Sequence, residues 1–173
     1  MSLIDPAYLR GRASLIGEQS RKTAQPGRPG VASSAYGISA PQEEYGTSHI
    51  SIVDAQGRAV AMTTSVEAAF GSRIMVSGFL LNNQLTDFNF VPRDAQGRPT
   101  ANRVEPGKRP RSSMTPTLVF DKPGGAFVMS TGSPGGAAII HYTAKALYGV
   151  LHWGLDAQRA IDLPNFANAN GPT

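Results

Sequence analysis

The sequence contains no cysteine, which removes disulfide scaffolds, thiolate metal sites and cysteine nucleophiles together. It leaves the redox compartment open, because exported proteins can also lack cysteine. Histidine is scarce: His49, His141 and His152 are scattered, and nothing in their spacing suggests zinc. Apolar runs are short, because Gly, Ser, Thr or charge interrupts every hydrophobic stretch, and none approaches the roughly 20 residues of a membrane-spanning helix. The opening Met1-Ser2-Leu3-Ile4-Asp5 lacks the basic region and long apolar run of a signal peptide.

Charge of one sign is also thin. Sixteen basic against 12 acidic residues give +4, and the excess is spread along the chain. Only Arg103 to Arg111 is dense, with Arg103, Lys108, Arg109 and Arg111 against Glu105; it either touches phosphates or faces water. Without interleaved aromatics, nucleic acid is not an expected partner. Glycine and proline are plentiful instead, 19 and 13 of 173 residues with no collagen period, so many turns and one loose segment are expected. With 40% hydrophobic residues, the length fits one globular unit, and no internal repeat is expected.

Asp5-Pro6 reads as an N-cap and a first helical residue, and Leu9, Ala13 and Ile16 recur at helical spacing up to Gly17. That predicts a short amphipathic helix over 5–17. From Ser20 to Gly46 apolar periodicity is absent and Gly, Pro and Ser crowd together, which predicts a flexible linker. Ser48 to Val53 and Arg58 to Val66 alternate around Asp54-Ala55-Gln56-Gly57, a hairpin pattern. Thr117 to Phe120 and Ala126 to Met129 form a second around Asp121 to Gly125. Gly135-Gly136 then open an apolar stretch through Ile139, Tyr142, Thr143, Ala146, Leu147 and Val150, a helix buried on a wide face. Asp156 is expected to cap a last short helix ending by Pro164.

Gly46-Thr47 stands where the flexible segment meets the first strand. A threonine there serves either β-propensity or nucleophilic attack. Cleavage before Thr47 frees an α-amine with a reference pKa of about 7.7–8.0 that can take the hydroxyl proton within the same residue. Thr131-Gly132-Ser133-Pro134-Gly135-Gly136 lies between a strand and a helix, as a tight turn or an oxyanion hole of backbone N–H groups. It is neither a phosphate loop nor a dinucleotide fingerprint. Asn82-Asn83-Gln84-Leu85-Thr86-Asp87 suits recognition of an ammonium group or a capped turn. Ser112-Ser113 offers hydroxyls for a carboxylate or fills a loop. A Gly-x-Ser-x-Gly elbow is missing, so a Ser-His-Asp hydrolase has no local signature.

Taken in order, Thr47-Ser48-His49, Phe79-Leu80-Leu81-Asn82-Asn83-Gln84-Leu85-Thr86-Asp87-Phe88, Lys108-Arg109-Pro110-Arg111-Ser112-Ser113-Met114 and Gly132-Ser133-Pro134-Gly135-Gly136 resemble the γ-glutamyltranspeptidase family. The resemblance implies an α+β fold, the four-layer αββα sandwich of N-terminal-nucleophile hydrolases, here incomplete, with antiparallel sheets and flanking helices. Residues 1–46 would be the tail of a large subunit, and residues 47–173 the catalytic segment of a small subunit, truncated at its C-terminus and released by self-cleavage. By the same resemblance Thr47 is the nucleophile, Ser65 supports it in place of the usual threonine, and Gly135 and Gly136 form the oxyanion hole. Gln84 and Asp87 would hold the donor's α-amino group, and Ser112 and Ser113 its α-carboxylate. Glu67 departs from the asparagine of well-known members, which leaves two kinds of donor open: a γ-glutamyl amide such as glutathione, or the different acyl donor of an acylase-like or amidohydrolase-like branch.

No cofactor or metal is implied. Expected partners are the remaining large-subunit region of the same precursor, the small-molecule donor, and an amino acid or water as acceptor. Unpacked sheet faces could also pair two copies of the segment. The family implies a periplasmic or secreted setting. The chain alone is expected to be inactive, since the family's arginine for the α-carboxylate comes from the large subunit. A non-catalytic binding module is the competing reading, with Thr47 merely starting a strand.

Overall fold

The computed structural model describes residues 3–30, 35–37, 39, 46–122, 124–168 and 170. Most of the expected linker's second half, 31–34, 38 and 40–45, therefore lies outside the described residues. The chain divides into two compact units rather than the single unit its length suggests: Met1–Ala40 with Asn89–Lys108 and Asn168–Thr173, and Pro41–Phe88 with Arg109–Ala167. The leading residues have their own partners in the first unit. Gly37 pairs with Thr100 and its N–H donates to the Pro99 carbonyl at 2.9 Å, while the Arg103 guanidinium lies 5.9 Å from the Tyr36 ring centre.

In this first unit α1 spans Pro6–Ala13, with the Asp5 carboxylate accepting from the Tyr8 N–H at 2.8 Å. The cap is as expected, but the helix stops four residues before Gly17 and buries none of its residues. Leu9 and Ile16 stay exposed, so the amphipathic stripe has no surface to cover, and a helix this short gains little without packing. The dense basic segment is partly neutralised: Glu105 pairs with Arg103 at 2.9 Å and with Lys108 at 2.6 Å.

Asp94-Ala95-Gln96-Gly97-Arg98 repeats Asp54-Ala55-Gln56-Gly57-Arg58 of the second unit letter for letter, a short internal repeat where none was expected. Both fold alike. Each aspartate Oδ1 accepts from the amides of the glutamine and arginine that follow, and Oδ2 accepts from the arginine Nε. The glycines take φ of 80° and 75°, a region open to glycine at little cost.

The second unit is built from antiparallel pairs. Strands β1 (Thr47–Val53) and β2 (Ala59–Ser65) pair from Thr47↔Ser65 to Val53↔Ala59. The short strands β3 (Met75–Val76) and β4 (Phe79–Leu80) form a second hairpin. Strands β5 (Thr117–Phe120) and β6 (Phe127–Thr131) form the third, with a register shift between Val119 and Phe120. A 3₁₀ turn at Gly136–Ala138 leads into α2 (Ile139–Leu151), and Asp156 caps α3 (Ala157–Asp162) through the Arg159 N–H at 2.8 Å.

Gly149 of α2 faces the Ala160 side chain so closely that a methyl at 149 would lie 3.1 Å from it. Lys145 is buried and donates to the Ile161 and Leu163 carbonyls at 3.0 and 2.7 Å, closing the end of α3. The fold is thus α+β with antiparallel sheets. Among the described residues these are three two-stranded sheets. On β1 and β2 the outer residues Ile52 and Val60 remain exposed.

Candidate active site

A hairpin with seven-residue arms brings residues 18 apart in sequence side by side. Thr47 opens β1, Ser65 closes β2, and the two are cross-strand partners. Strand alternation then sets Thr47, His49 and Ser51 on one face with Ser65, Thr63 and Ala61 opposite them. The Ser65 hydroxyl donates to the Gly46 carbonyl at 2.6 Å and accepts from the Glu67 N–H at 2.7 Å. Glu67 lies in the left-handed region at φ 72° and is buried. Phe70 and Arg73 share that conformation at 64° and 61°, costly for residues with a side chain.

The second hairpin returns the chain to this loop. Asn83 Oδ1 accepts from the Ala68 N–H and Asn82 Oδ1 from the Gln84 N–H, both at 2.9 Å. The asparagines thus act as turn residues that hold a 3₁₀ turn over Gln84–Asp87 beside the Glu67 loop. The Gln84 amide donates to the buried Asp87 carboxylate. From another side the segment 112–114 is anchored to α2 through Thr115 and Thr143, whose hydroxyls lie 3.0 Å apart.

These elements converge on one cavity. Thr47, Ser65, Glu67, Gln84, Asp87, Ser112, Ser113 and Gly136 all line it, with Met114 and Ile139 completing the wall. Its volume is about 10 Å³, room for about one water molecule rather than an acyl group. Two buried acidic residues, Glu67 and Asp87, line this one space. Gly135, the residue before Gly136, is not among the residues that line the cavity. At φ 131° it packs against the Tyr142 ring, where a Cβ would lie 2.8 Å from Cε2.

His49 is marked in the sequence only by its place in the Thr47-Ser48-His49 motif. Its Nδ1 lies 2.8 Å from Thr63 Oγ1 and its Nε2 3.1 Å from Ser51 Oγ. Ser130 of β6 donates to Ser51 at 2.9 Å. The signal was present as strand parity, since residues 47, 49 and 51 must share a face.

Comparison with known proteins decides the family. The chain matches the gamma-glutamyltranspeptidase family over residues 1–173. It belongs to the γ-glutamyltranspeptidase family. Among its relatives, the glutathione hydrolase proenzyme of Bacillus subtilis (strain 168) is 38% identical over 174 residues, covering 94% of this chain and 28% of that protein. The glutathione hydrolase proenzyme of Escherichia coli (strain K12) is 37% identical over 175 residues, covering 95% and 28%. The chain therefore spans little more than a quarter of these relatives. Among solved structures, the T380A mutant of Helicobacter pylori γ-glutamyltranspeptidase superposes with a TM-score of 0.59 at 34% identity, covering 69% of this chain and 66% of that one.

Proposed function

We propose that this chain is the self-processing segment of a γ-glutamyltransferase and glutathione hydrolase, with Thr47 as its nucleophile. The observation that carries the reading is the Thr47 and Ser65 pair at the edge of a cavity shared with Gly136 and two carboxylates. In maturation the Thr47 hydroxyl attacks the Gly46 carbonyl carbon, the C–N bond to Thr47 breaks, and the hydroxyl proton passes to the departing nitrogen. Water then hydrolyses the resulting ester and leaves a Gly46 carboxylate and a free Thr47 amine. That amine serves as the base when the hydroxyl attacks the γ-amide of a donor. The amides of Gly135 and Gly136 receive the oxyanion, an interaction whose loss costs about 3 kcal/mol of transition-state stabilisation.

Glu67, Gln84 and Asp87 hold the donor's ammonium, Ser112 and Ser113 hold its α-carboxylate, and the acyl group passes to water or an amino acid. In the whole protein these hairpins extend into the layers of an αββα sandwich with the large-subunit region, residues 1–46 forming the tail of that subunit. Within the same chemistry Glu67 supports a second reading, an acylase-like or amidohydrolase-like member with a different donor, because a carboxylate replaces an amide at the ammonium end.

The test is release of the aniline from a γ-glutamyl anilide by a precursor carrying this segment. Turnover is expected in the unsubstituted protein and lost in Thr47→Ala, and the 173-residue chain alone is expected to release none. Undiminished turnover by Thr47→Ala overturns the assignment of the nucleophile.

A further inference from the structure

Resting on that reading, we infer that Ser65 acts one step earlier, as the donor that polarises the Gly46 carbonyl for self-cleavage, and that the Glu67 backbone amide aims its proton there. A serine hydroxyl has one proton and two lone pairs, and it rotates to suit its partners. Here its orientation is fixed. The Glu67 N–H occupies a lone pair at 2.7 Å, so the proton is delivered to the Gly46 oxygen at 2.6 Å. Charge builds on that oxygen when Thr47 Oγ attacks the Gly46 carbon, and a donor already in place at an oxyanion stabilises the transition state without reorganising.

The Glu67 N–H belongs to the peptide plane that joins Val66 to Glu67, so the backbone of Ser65 and Val66 places it against the Ser65 hydroxyl, and the φ of 72° at Glu67 turns the chain only after that amide. Glu67 is a positioning residue through its main chain, independently of what its carboxylate binds. Once the peptide bond is cut and the ester hydrolysed, the Gly46 carboxylate can leave and the Ser65 proton is free to turn to its strand partner Thr47. One hydroxyl thus serves the scissile carbonyl before cleavage and the nucleophile after it.

Gly-Thr occurs once in the sequence, at residues 46–47. A chain labelled with carbonyl-¹³C glycine and ¹⁵N threonine therefore gives a single carbonyl–amide NMR correlation that reports the Gly46 carbonyl. Ser65→Ala is expected to move this carbonyl resonance upfield and to slow the cut between Gly46 and Thr47 about 100-fold, in line with loss of one oxyanion donor. Ser65→Thr is expected to restore both. Glu67→Gly, which keeps the N–H and accepts the same backbone angles, leaves the resonance in place, and a shift there overturns the main-chain role.

An unmoved resonance in Ser65→Ala overturns the inference, and so does a moved resonance with an unchanged rate of cleavage. A resonance that depends on Ser65 in a chain that never cuts itself counts instead against the self-processing reading, so the two failures are distinguishable.

Discussion

The imidazole of His49 occupies the space that a side chain at position 132 would need. A Cβ built on Gly132 overlaps the ring, and the ring is held at both nitrogens by Thr63 and Ser51. This glycine is thus required by a neighbour rather than by its own backbone angles, and the contact sets the loop before Gly136 against the strand that carries Thr47. Gly132→Ala is expected to destabilise the chain by about 1–3 kcal/mol through overpacking, read as a lower denaturant midpoint. His49→Ala in the same chain should recover part of that loss, a non-additivity expected of touching residues. Additive losses would show that the ring and the glycine do not meet.

Lys145 supplies a second expected outcome. Its ammonium is buried and donates to the Ile161 and Leu163 carbonyls, so Lys145→Met strips both carbonyls of a charged donor. A loss of about 1–3 kcal/mol is expected, concentrated in α3, and hydrogen exchange at the α3 amides is the measurement. Unchanged protection would mean that water replaces the ammonium without cost.

The paired turns at Asp54 and Asp94 predict a shared response to acid. At Asp54 the Arg58 side-chain bond, followed by the Arg58 amide, holds the carboxyl below the ordinary aspartate value. At Asp94 shielding from solvent works the other way, but the Arg98 amide and side chain outweigh it and the value is again lowered. A depressed carboxyl contributes stability that is present above the unfolded value and lost as pH falls through the folded one. Carboxyl carbon titrations should place both midpoints below the ordinary aspartate value, with the turns loosening only at more acid pH. A midpoint at or above that value would contradict the turn geometry.

Glu67 carries the prediction about the donor. Glu67→Gln keeps the shape and removes one of two carboxylates at the cavity. A charge-assisted bond is worth about 1.5–3 kcal/mol, so the KM for a γ-glutamyl donor in the complete precursor should rise roughly 10-fold to 100-fold, with a smaller change for a donor lacking the ammonium. Equal changes for both donors would favour the branch with a different acyl group.

Local grammar made much of the second unit legible. The alternation around Asp54 to Gly57 predicts β1 and β2 within a residue, and the Asp5 and Asp156 caps stand where the sequence puts them. What local pattern cannot carry is long-range. The short α1 has no apolar surface to lie on, and the grouping of residues 89–108 with the leading segment depends on pairings such as Gly37 with Thr100. At the cavity, the motifs named Thr47, Gln84, Asp87, Ser113 and Met114, while Ile139 entered through packing alone. The hydrogen bonds of Ser65 depend on where the backbone carries the Gly46 carbonyl and the Glu67 amide, and no propensity marks a glutamate for its left-handed conformation.

The most direct measurement is intact mass of the purified 173-residue chain over time at neutral pH, beside Thr47→Ala. The account predicts two masses that sum to the starting chain plus one water, divided between Gly46 and Thr47, and a single unchanged mass in the variant. A chain that stays whole, or a cut at the same bond that persists in Thr47→Ala, would contradict it.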